Sequence, residues 1–457
     1  MRDLDIKPTE FNRESLKKSF ETINWVTKGR VTQIIGNVIE AEIPSVEIGA
    51  TLSIEIPKKS KPVIAEVVGF RGKTALLMPY NQLDGACVGA LVSPQDNDNT
   101  IRVGNHLLGK VVDPYLHELG TDNELDSYPS TRTSLDSTPI DPMKRTRISE
   151  PMSLGIRTID SLLTFGQGQR IGLQAAAGVG KSVLLGMIAR NSEADVNVIG
   201  LIGERGREIR EFIERDLMEE GIKKSVIIAV TGDNSPLLRV RGAKVATSVA
   251  EYFSKQGKNV LLMMDSLTRV AMAQREIGNS IGEAPTTKGY TPSVFSLLPK
   301  LLERAGPQSE GHGSISAIYT VLVEGNDFDE PIADACRSIL DGHISLSKDL
   351  AARGHFPAID VTSSVSRVMT DILPKEQVRF AQYVKGLISE YNANIFTIQA
   401  GLYTPGVNQR LDLAINMMPA IEAFLRQEID EDAHYNDTIQ SLISLVQTAH
   451  LSTQEES

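Results

Sequence analysis

The stretch Arg170-Ile-Gly-Leu-Gln-Ala-Ala-Ala-Gly-Val-Gly-Lys-Ser-Val-Leu-Leu185 decides the fold of this chain. It joins a short apolar run, a turn with Gly178 and Gly180, and the start of a helix at Lys181. Backbone N–H groups in such a turn surround phosphate oxygens, and the helix N-terminus adds a partial positive charge. We therefore predict a phosphate-binding loop for a nucleoside triphosphate. Lys181 would contact the outer phosphates, and the Ser182 hydroxyl would be a ligand of Mg²⁺.

This loop departs from the usual pattern at one position, because Ala175 stands where the first glycine is expected. Alanine is small, and the two later glycines remain where the backbone must approach phosphate. The alternative is a strand–turn–helix that contains Gly-Lys-Ser by chance. The residues that we predict to contact the nucleotide are Ala177, Gly178, Val179, Gly180, Lys181, Ser182 and Val183.

The composition limits the kind of protein. A chain of 457 residues with 41% hydrophobic residues is long enough for two or three domains and a large core. A net charge of −11 argues against a general nucleic-acid binder. Two distant cysteines, Cys87 and Cys336, indicate a reducing compartment with neither a disulfide framework nor a zinc site. No apolar signal core or membrane-length segment is evident, so we expect a cytoplasmic protein.

Changes in pattern along the chain predict four regions. Residues 1–23 form an amphipathic helix that either packs on its own domain or docks on a partner or membrane surface. Residues 24–94 alternate apolar and polar with Gly and Pro punctuation, which favours a small β-barrel. Residues 95–373 form a nucleotide-binding domain that includes a long, partly extended connection over residues 113–151, and residues 374–457 are helical.

Strands and helices alternate in the nucleotide-binding domain. The predicted strands are nearly continuous apolar runs, which indicates a parallel sheet covered by helices on both faces. Ligands bind to such sheets at the carboxyl ends of the strands. The predicted strands are 170–175, 196–202, 225–230 and 259–264, and the predicted helices between them are 181–190, 207–219 and 237–256.

Three residues near strand ends are candidates for the chemistry. Asp265 ends a buried strand, where it would hold Mg²⁺ through water, although such an Asp often caps a turn or helix. Glu204 would orient the attacking water, although with Glu208 it also enriches the acidic first turn of a helix. Arg269 would contact the γ-phosphate, or would form a surface ion pair with Glu276 or another acid.

Longer motifs resemble the ATPases of type III protein export, most closely the flagellum-specific one. These ATPases are relatives of the catalytic subunits of rotary ATP synthases. The resemblance is dense between about residues 100 and 370 and weak at both ends of the chain. The matching segments are 201–214, 262–269, 274–278, 289–306, 340–347 and 357–367.

The resemblance implies a P-loop (RecA-like) α/β core in a homo-hexameric ring, with ATP at the subunit interfaces. Arg367 matches the arginine that reaches a neighbour's γ-phosphate, and Glu204 matches the water-activating glutamate. Arg205 and Arg269 match arginines near the phosphates. The loop 278–288 resembles the pore-facing loop that meets a central stalk protein.

The resulting expectation is a cytoplasmic Mg²⁺-ATPase, peripheral to the inner membrane at an export gate, that helps to release export substrates from chaperones. By resemblance, the N-terminal helix would bind a regulatory stator-like protein, the barrel would mediate ring contacts, and the C-terminal helices would dock substrates or chaperones. No nucleic-acid partner is expected. The alternatives are an injectisome export ATPase, a catalytic subunit of a rotary ATP synthase, a ring-shaped RNA helicase, and a nucleotide-binding subunit that does not turn over.

Overall fold

The computed structural model describes residues 28–455 except 57–60, 82, 84, 96–98, 122–127 and 324–329. The chain separates into two compact units, one that ends at Asn97 and one that begins at Asp98. The amphipathic helix predicted over residues 1–23 lies outside the described residues. No helix in the described ranges is long and apolar enough to cross a membrane.

The first unit is a closed six-stranded barrel, as predicted from the alternating pattern. Its strands are β1 (Gly29–Ile35), β2 (Val38–Glu42), β3 (Thr51–Ile54), β4 (Val63–Arg71), β5 (Thr74–Pro79) and β6 (Leu91–Pro94). They follow each other in the order β1-β2-β5-β4-β3-β6, and β6 pairs with β1 to close the barrel. Apolar side chains from alternate positions fill the interior, including Ile39, Leu52 and Leu77.

The second unit is built on a nine-stranded sheet. Two strands outside it, β7 (Thr100–Val103) and β9 (Thr131–Ser134), pair with each other. The sheet strands are β8 (Lys110–Val112), β10 (Arg170–Ala175), β11 (Val196–Glu204), β12 (Ser225–Thr231), β13 (Val260–Asp265), β14 (Gly306–Pro307), β15 (Ser314–Leu322), β16 (Gly342–Leu346) and β17 (Ile359–Ser366). Their order is β17-β16-β10-β15-β13-β11-β12-β8, with β14 paired to β15.

Helices connect and cover these strands. They are α1 (Arg157–Leu162), α2 (Lys181–Asn191), α3 (Gly206–Glu211), α4 (Met218–Lys223), α5 (Pro236–Lys255), α6 (Leu267–Ile281), α7 (Pro292–Leu302), α8 (Pro331–Ile339), α9 (Lys348–Ala352), α10 (Met369–Ile372), α11 (Lys375–Ala393), α12 (Ile395–Gln399), α13 (Gln409–Leu425) and α14 (Tyr435–Glu455). Short 3₁₀ turns occur at Asn105–Leu107, Pro142–Lys144 and Thr287–Gly289.

The predicted parallel sheet is confirmed. Strands β8, β10, β11, β12, β13, β15 and β16 pair in parallel, and only β14 and β17 add antiparallel neighbours. All six residues of β13 are buried, which explains why this strand is apolar at every position up to its terminal Asp265. The parallel arrangement places the carboxyl ends of β10, β13 and β11 along one edge of the sheet.

The helix predicted over 207–219 differs from the structure. Helix α3 ends at Glu211, a π-helical segment spans Phe212–Leu217, and α4 follows. The carbonyl of Asp216 in the π-helical segment accepts a hydrogen bond from the Arg190 guanidinium of α2. A Cβ on Gly186 of α2 would lie 2.5 Å from that same carbonyl oxygen. The π-helical winding of residues 212–217 thus occurs where α2 packs closely against this segment. Local helix propensity does not encode this tertiary contact, so the prediction missed it.

The helices after Pro374 share a hydrophobic core with the nucleotide-binding sheet. Leu387 of α11 and Leu442 of α14 belong to the same buried cluster as Leu173 of β10. The segment between α13 and α14 is also bound to the core by polar contacts. The Gln427 side-chain amide donates to the Gly155 carbonyl over 2.9 Å, and its side-chain oxygen accepts from the Arg157 backbone N–H, also over 2.9 Å.

Candidate active site

The predicted phosphate loop joins β10 to α2. Gly178 has a φ of 81° and Gly180 a φ of 87°, left-handed values that side chains other than glycine rarely adopt. Gly180 is also the N-cap of α2 and has no side chain to cap it, so the first-turn N–H groups remain available for an anion. Ala175 is the last residue of β10, is fully buried and has no positive φ. The conformation at this position therefore does not require the glycine of the usual pattern.

Three charged side chains meet at the carboxyl edge of the sheet. The ammonium of Lys181 contacts Oδ1 of Asp265 directly and lies 3.9 Å from Oε1 of Glu204. Their side chains are only 13%, 6% and 14% exposed, respectively. The three residues come from α2, the end of β13 and the end of β11, so the sheet order brings together groups that are distant in the sequence.

A bulge in β11 orients Glu204. The parallel register with β12 shifts between Ile202 and Glu204, and the intervening Gly203 has a φ of 77°. Such a bulge changes the direction of the side chain that follows it. A Cβ on Gly203 would lie 3.0 Å from the Cβ of Arg269, so the absence of a side chain here lets Arg269 pack against the strand.

A buried hydroxyl fixes Asp265. Thr320 of β15 is fully buried, and its Oγ1 lies 2.7 Å from Oδ1 of Asp265. Lys181 contacts this same oxygen. No residue in the described part of the chain donates a hydrogen bond to the other oxygen, Oδ2. One carboxylate oxygen is therefore anchored, and the second is available to a ligand.

Arg269 lies on the first turn of α6, beside this cluster, where its charge lowers the pKa of Glu204. Its buried Nε has no hydrogen-bond partner among the described residues. The alternative ion pair with Glu276 is not present, because Glu276 binds Arg239 over 2.7 Å. The orphaned donor beside Glu204 fits an arginine that acts on an anionic ligand.

Arg205 is not brought into the buried cluster. Its side chain is 70% exposed and forms a 3.4 Å ion pair with Glu208 one turn along α3. Glu208 in turn shares a hydrogen bond with the Glu204 carboxyl group. Arg205 therefore lies at the rim of the site and is linked to Glu204 through Glu208.

The environment perturbs Glu204 strongly. Burial, the nearby negative charge of Asp265 and a hydrogen bond with Glu208 raise its pKa, and the net value is about 7. The positive charges of Lys181 and Arg269 act in the opposite direction. A carboxyl group with a pKa near neutrality is suited to exchange a proton with water at physiological pH.

Arg367 lies at the opposite edge of the sheet. It follows Ser366, which pairs with Gly342 at the start of β16, whereas the phosphate loop follows the end of β10. The six residues of β10 span about 20 Å between the two edges, so Arg367 cannot reach the phosphate loop of its own chain. Its exposed guanidinium donates to the Arg337 carbonyl over 3.0 Å.

Sequence reasoning missed a cavity of about 540 Å³ beside the phosphate loop. Phe356, 46% exposed, flanks Gly180, and the backbone N–H of Gln427 donates to the Phe356 carbonyl over 3.0 Å. The volume and the mainly apolar lining suit a planar heterocycle. The lining residues are Gly178, Val179, Gly180, Val183, Leu184, Met187, Leu346, Gly354, Phe356, Pro357, Ala358, Arg426, Gln427, Glu428 and Ile429.

Comparison with known proteins identifies the family. Residues 155–366 match the nucleotide-binding domain of the ATP synthase alpha/beta family, residues 31–94 its beta-barrel domain, and residues 373–444 the C-terminal domain of the type III secretion ATPase EscN. The flagellum-specific ATP synthase of Bacillus subtilis is 48% identical over 425 residues, which cover 93% of this chain and 96% of the relative. This chain belongs to the family of flagellar and type III secretion ATPases.

Other members of this export ATPase family support the assignment. The type 3 secretion system ATPase of Xanthomonas euvesicatoria is 43% identical over 92% of this chain and 94% of its own length. The assembled ATPase EscN of enteropathogenic E. coli superimposes with a TM-score of 0.84 at 43% identity, covering 92% of this chain and 100% of EscN. EscN has also been solved in complex with its central stalk EscO, with a TM-score of 0.83. The resemblance in the motifs is thus confirmed, and the chain is a nucleotide-binding ATPase of type III export.

Proposed function

We propose that this export ATPase hydrolyses Mg²⁺-ATP at sites shared between neighbouring subunits of a homo-hexameric ring. The observation that carries the proposal is the division of the charged groups between two edges of one sheet. Lys181, Glu204 and Asp265 meet at one edge, and Arg367 is exposed at the other. The phosphate site at the first edge lacks a cation that a neighbouring subunit could provide. Arg367, at the second edge of that neighbour, would supply it.

The residues of one subunit bind and orient the reactants. The backbone N–H groups of residues 177–183 surround the phosphates, and the Lys181 ammonium moves from Asp265 to the outer phosphates. Glu204 holds the attacking water in line with the γ-phosphate and accepts its proton. Arg269, whose Nε lacks a partner in the described residues, donates to the phosphate oxygens.

The donor set near the phosphate loop fits magnesium. Asp265 offers a free carboxylate oxygen, and Ser182 offers a hydroxyl next to Lys181 on the first turn of α2. Oxygen donors of this kind, completed by water and phosphate, are those that Mg²⁺ prefers. The ion would neutralise charge that develops on the phosphates.

Arg367 of the adjacent subunit completes the site. A guanidinium added only on assembly would stabilise the transition state, as an arginine finger does in other phosphoryl-transfer systems. Arg205, at the rim of the site, would act near the same interface. The apolar cavity beside the phosphate loop would hold the adenine base of ATP, stacked against Phe356.

The remaining partners are assigned by family resemblance. The loop 278–288, largely exposed, would meet a central stalk protein, and the solved EscN–EscO complex supports such a partner. The segment 1–23 would bind a stator-like regulatory protein, and the helices after Pro374 would dock chaperones and export substrates. The protein would lie in the cytoplasm, peripheral to the inner membrane at the export gate, where hydrolysis would help to unfold substrates and release them from chaperones.

The flagellar system is the favoured setting. The Bacillus subtilis flagellar relative is 48% identical to this chain, against 43% for the Xanthomonas secretion ATPase. Complementation of a flagellar-ATPase deletion strain would test this choice, with restored swimming as the expected result. Restored effector secretion in an injectisome deletion strain, without restored swimming, would favour the second setting.

The substitution Glu204→Gln tests the chemistry. The amide cannot accept the proton of water, so phosphate release should fall by roughly 10²- to 10⁴-fold while ATP affinity is retained. Phosphate release and the binding of a fluorescent ATP analogue should be measured on the same preparation.

A matched control is Glu211→Gln, an exposed acid on helix α3, which follows Glu204 in the chain, and it should leave both measurements unchanged. If Glu204→Gln released phosphate at the normal rate, the group that orients the water would have to lie elsewhere. A loss of ATP affinity equal to the loss of rate would show that Glu204 binds the substrate instead.

A further inference from the structure

The turn that carries Arg367 is fixed by hydrogen bonds to its backbone and to Ser366. The Arg367 N–H donates to the Asp341 carbonyl over 3.0 Å, and the Ser366 hydroxyl donates to the Thr164 carbonyl over 2.9 Å. The Asp341 carboxylate accepts from the Arg170 backbone N–H over 3.0 Å. The backbone at residues 366 and 367 is therefore held by hydrogen bonds, and the exposed guanidinium of Arg367 donates to the Arg337 carbonyl.

A single buried amide connects these groups. Gln169 is fully buried, and its Nε2 lies 3.2 Å from the Asp341 carbonyl and 3.2 Å from the Ser366 hydroxyl oxygen. Its Oε1 accepts from the Gly166 N–H over 2.9 Å, so the amide cannot turn over without losing a partner. Gln169 thus contacts the Asp341 carbonyl, which accepts from the Arg367 N–H, and the hydroxyl of Ser366, the residue before Arg367.

We propose that Gln169 is a positioning residue for the arginine that Arg367 contributes to the neighbouring subunit. This inference rests on the proposed function, because it requires Arg367 to act in trans. Gln169 immediately precedes β10, and the phosphate loop follows the other end of that strand. One strand of each subunit therefore carries the binding loop of its own site at one end and the support of its neighbour's site at the other.

The matching test is the substitution Gln169→Met, which keeps the side-chain length and removes the hydrogen bonds. A small displacement of Arg367 should lower the turnover of a ring made only of this variant by roughly tenfold to a hundredfold. The affinity of the variant for a fluorescent ATP analogue should stay unchanged, because its own phosphate loop is intact. Gln167→Met is the control, since the amide of Gln167 donates to Asn259 over 2.9 Å and not to the finger's anchor.

Mixed rings separate positioning from general damage. A Gln169→Met subunit keeps a functional site of its own but contributes a displaced Arg367 to its neighbour. A Glu204→Gln subunit has an inactive site but contributes a correctly placed Arg367. Equimolar mixing should raise activity above both pure rings, to about a quarter of the wild-type rate, because each site in a head-to-tail ring has one finger donor. Absence of this rise would overturn the inference.

Two further mixtures complete the test. Arg367→Ala mixed with Glu204→Gln should show the same rise; its absence would refute the trans assignment itself, and with it this inference. Arg367→Ala mixed with Gln169→Met should show no rise, because neither subunit donates a competent finger. A rise in that mixture would mean that Gln169→Met damages its own site, and would also overturn the proposal.

If Gln169→Met does not assemble, Ser366→Ala replaces it in the same mixtures. This variant removes the hydroxyl that accepts from the Gln169 amide and donates to the Thr164 carbonyl, and it leaves the buried glutamine in place. The expected pattern is the same with a smaller loss in the pure ring. The same rise with Glu204→Gln would support the inference, and its absence would overturn it.

Discussion

The two edges of the parallel sheet hold their charges in different ways. At the carboxyl edge, the Lys181 ammonium contacts Asp265 and lies 3.9 Å from Glu204, and the charges of Asp265 and Lys181 shift the pKa of Glu204 in opposite directions. At the amino edge, Arg367 and the Asp341 main chain are tied to backbone groups, and the guanidinium tip is exposed. We therefore expect the contacts at the carboxyl edge to be replaced by contacts with a ligand, and those at the amino edge to hold Arg367 in place.

This difference predicts where each defect is felt. A change at the carboxyl edge should alter binding or chemistry in the subunit that carries it. A change at the amino edge should leave that subunit's binding intact and impair its neighbour. If the predictions below fail, this distinction between the two edges is wrong.

The largest effect is expected for Arg367→Ala. Removal of the guanidinium should lower the turnover of the assembled ring by roughly a thousandfold, the lower end of the range for arginine fingers. The ATP affinity of the isolated protomer should be unchanged, because Arg367 lies about 20 Å from the phosphate loop of its own chain. The measurement is the specific rate of phosphate release as a function of protein concentration.

The wild-type specific rate should rise as protomers assemble, and the Arg367→Ala rate should stay flat. Arg353→Ala, an exposed arginine that follows α9, is a control that should keep the rise. A concentration-dependent rise in Arg367→Ala would place the finger on another residue and would end the division between the two edges.

Much of the fold follows from local sequence signals. The phosphate loop needs positive φ angles, and the glycines at positions 178 and 180 adopt them without strain. The apolar run before Asp265 predicts both the buried strand and the residue at which it ends. Strand ends in a parallel sheet meet at one edge, so placing Glu204 near Asp265 needs only the order of the strands. The roles of these residues remain predictions.

The pH dependence should reveal the coupling at the carboxyl edge. Burial and Asp265 raise the pKa of Glu204, which is about 7, so below pH 7 the carboxyl group that we propose to accept the proton from water is itself protonated. The value of kcat/KM should therefore rise with pH and level off above 7, with a loss of about a hundredfold at pH 5. The measurement is kcat/KM from pH 5 to 9 at saturating Mg²⁺.

The variant Glu208→Gln sharpens this prediction. The hydrogen bond with Glu208 raises the pKa of Glu204, and an amide in its place donates to the carboxylate and stabilises the charged form. The acid limb should therefore move to lower pH. An unchanged limb would mean that a different group controls the profile.

Sequence reasoning could not find the cavity beside the phosphate loop or the contacts that Gln169 makes next to Arg367. Phe356 and Gln427 are 71 positions apart and meet through one backbone hydrogen bond, which has no periodic or motif signal. Gln169 looks like an ordinary polar residue before a strand until its three hydrogen bonds are seen. The spacing of the sequence suggested that Glu276 pairs with Arg269. It pairs instead with Arg239 of α5, a tertiary contact that has no local sequence signal either.

A moderate effect is expected for Phe356→Ala. Loss of stacking against the base should raise the KM for ATP about tenfold with little change in kcat. Phe396→Ala, which removes an aromatic ring that is 79% exposed on α12, should leave the KM unchanged. The kinetics of ATP hydrolysis at saturating Mg²⁺ provide both values, and an unchanged KM in Phe356→Ala would remove the base from this cavity.

The smallest effect is expected for Thr320→Val, which preserves shape and removes the hydroxyl that lies 2.7 Å from Asp265. Without this anchor the carboxylate can rotate, so the Mg²⁺ concentration for half-maximal nucleotide binding should rise about fivefold. Nucleotide affinity in excess EDTA should not change, and Thr320→Ser, which keeps the hydroxyl, should restore the wild-type Mg²⁺ dependence. Because the defect lies at the carboxyl edge, a mixture of Thr320→Val with Glu204→Gln should show no rise in activity at limiting Mg²⁺. A rise there would mean that this edge also acts across the interface, and that the two edges are less separate than their contacts indicate.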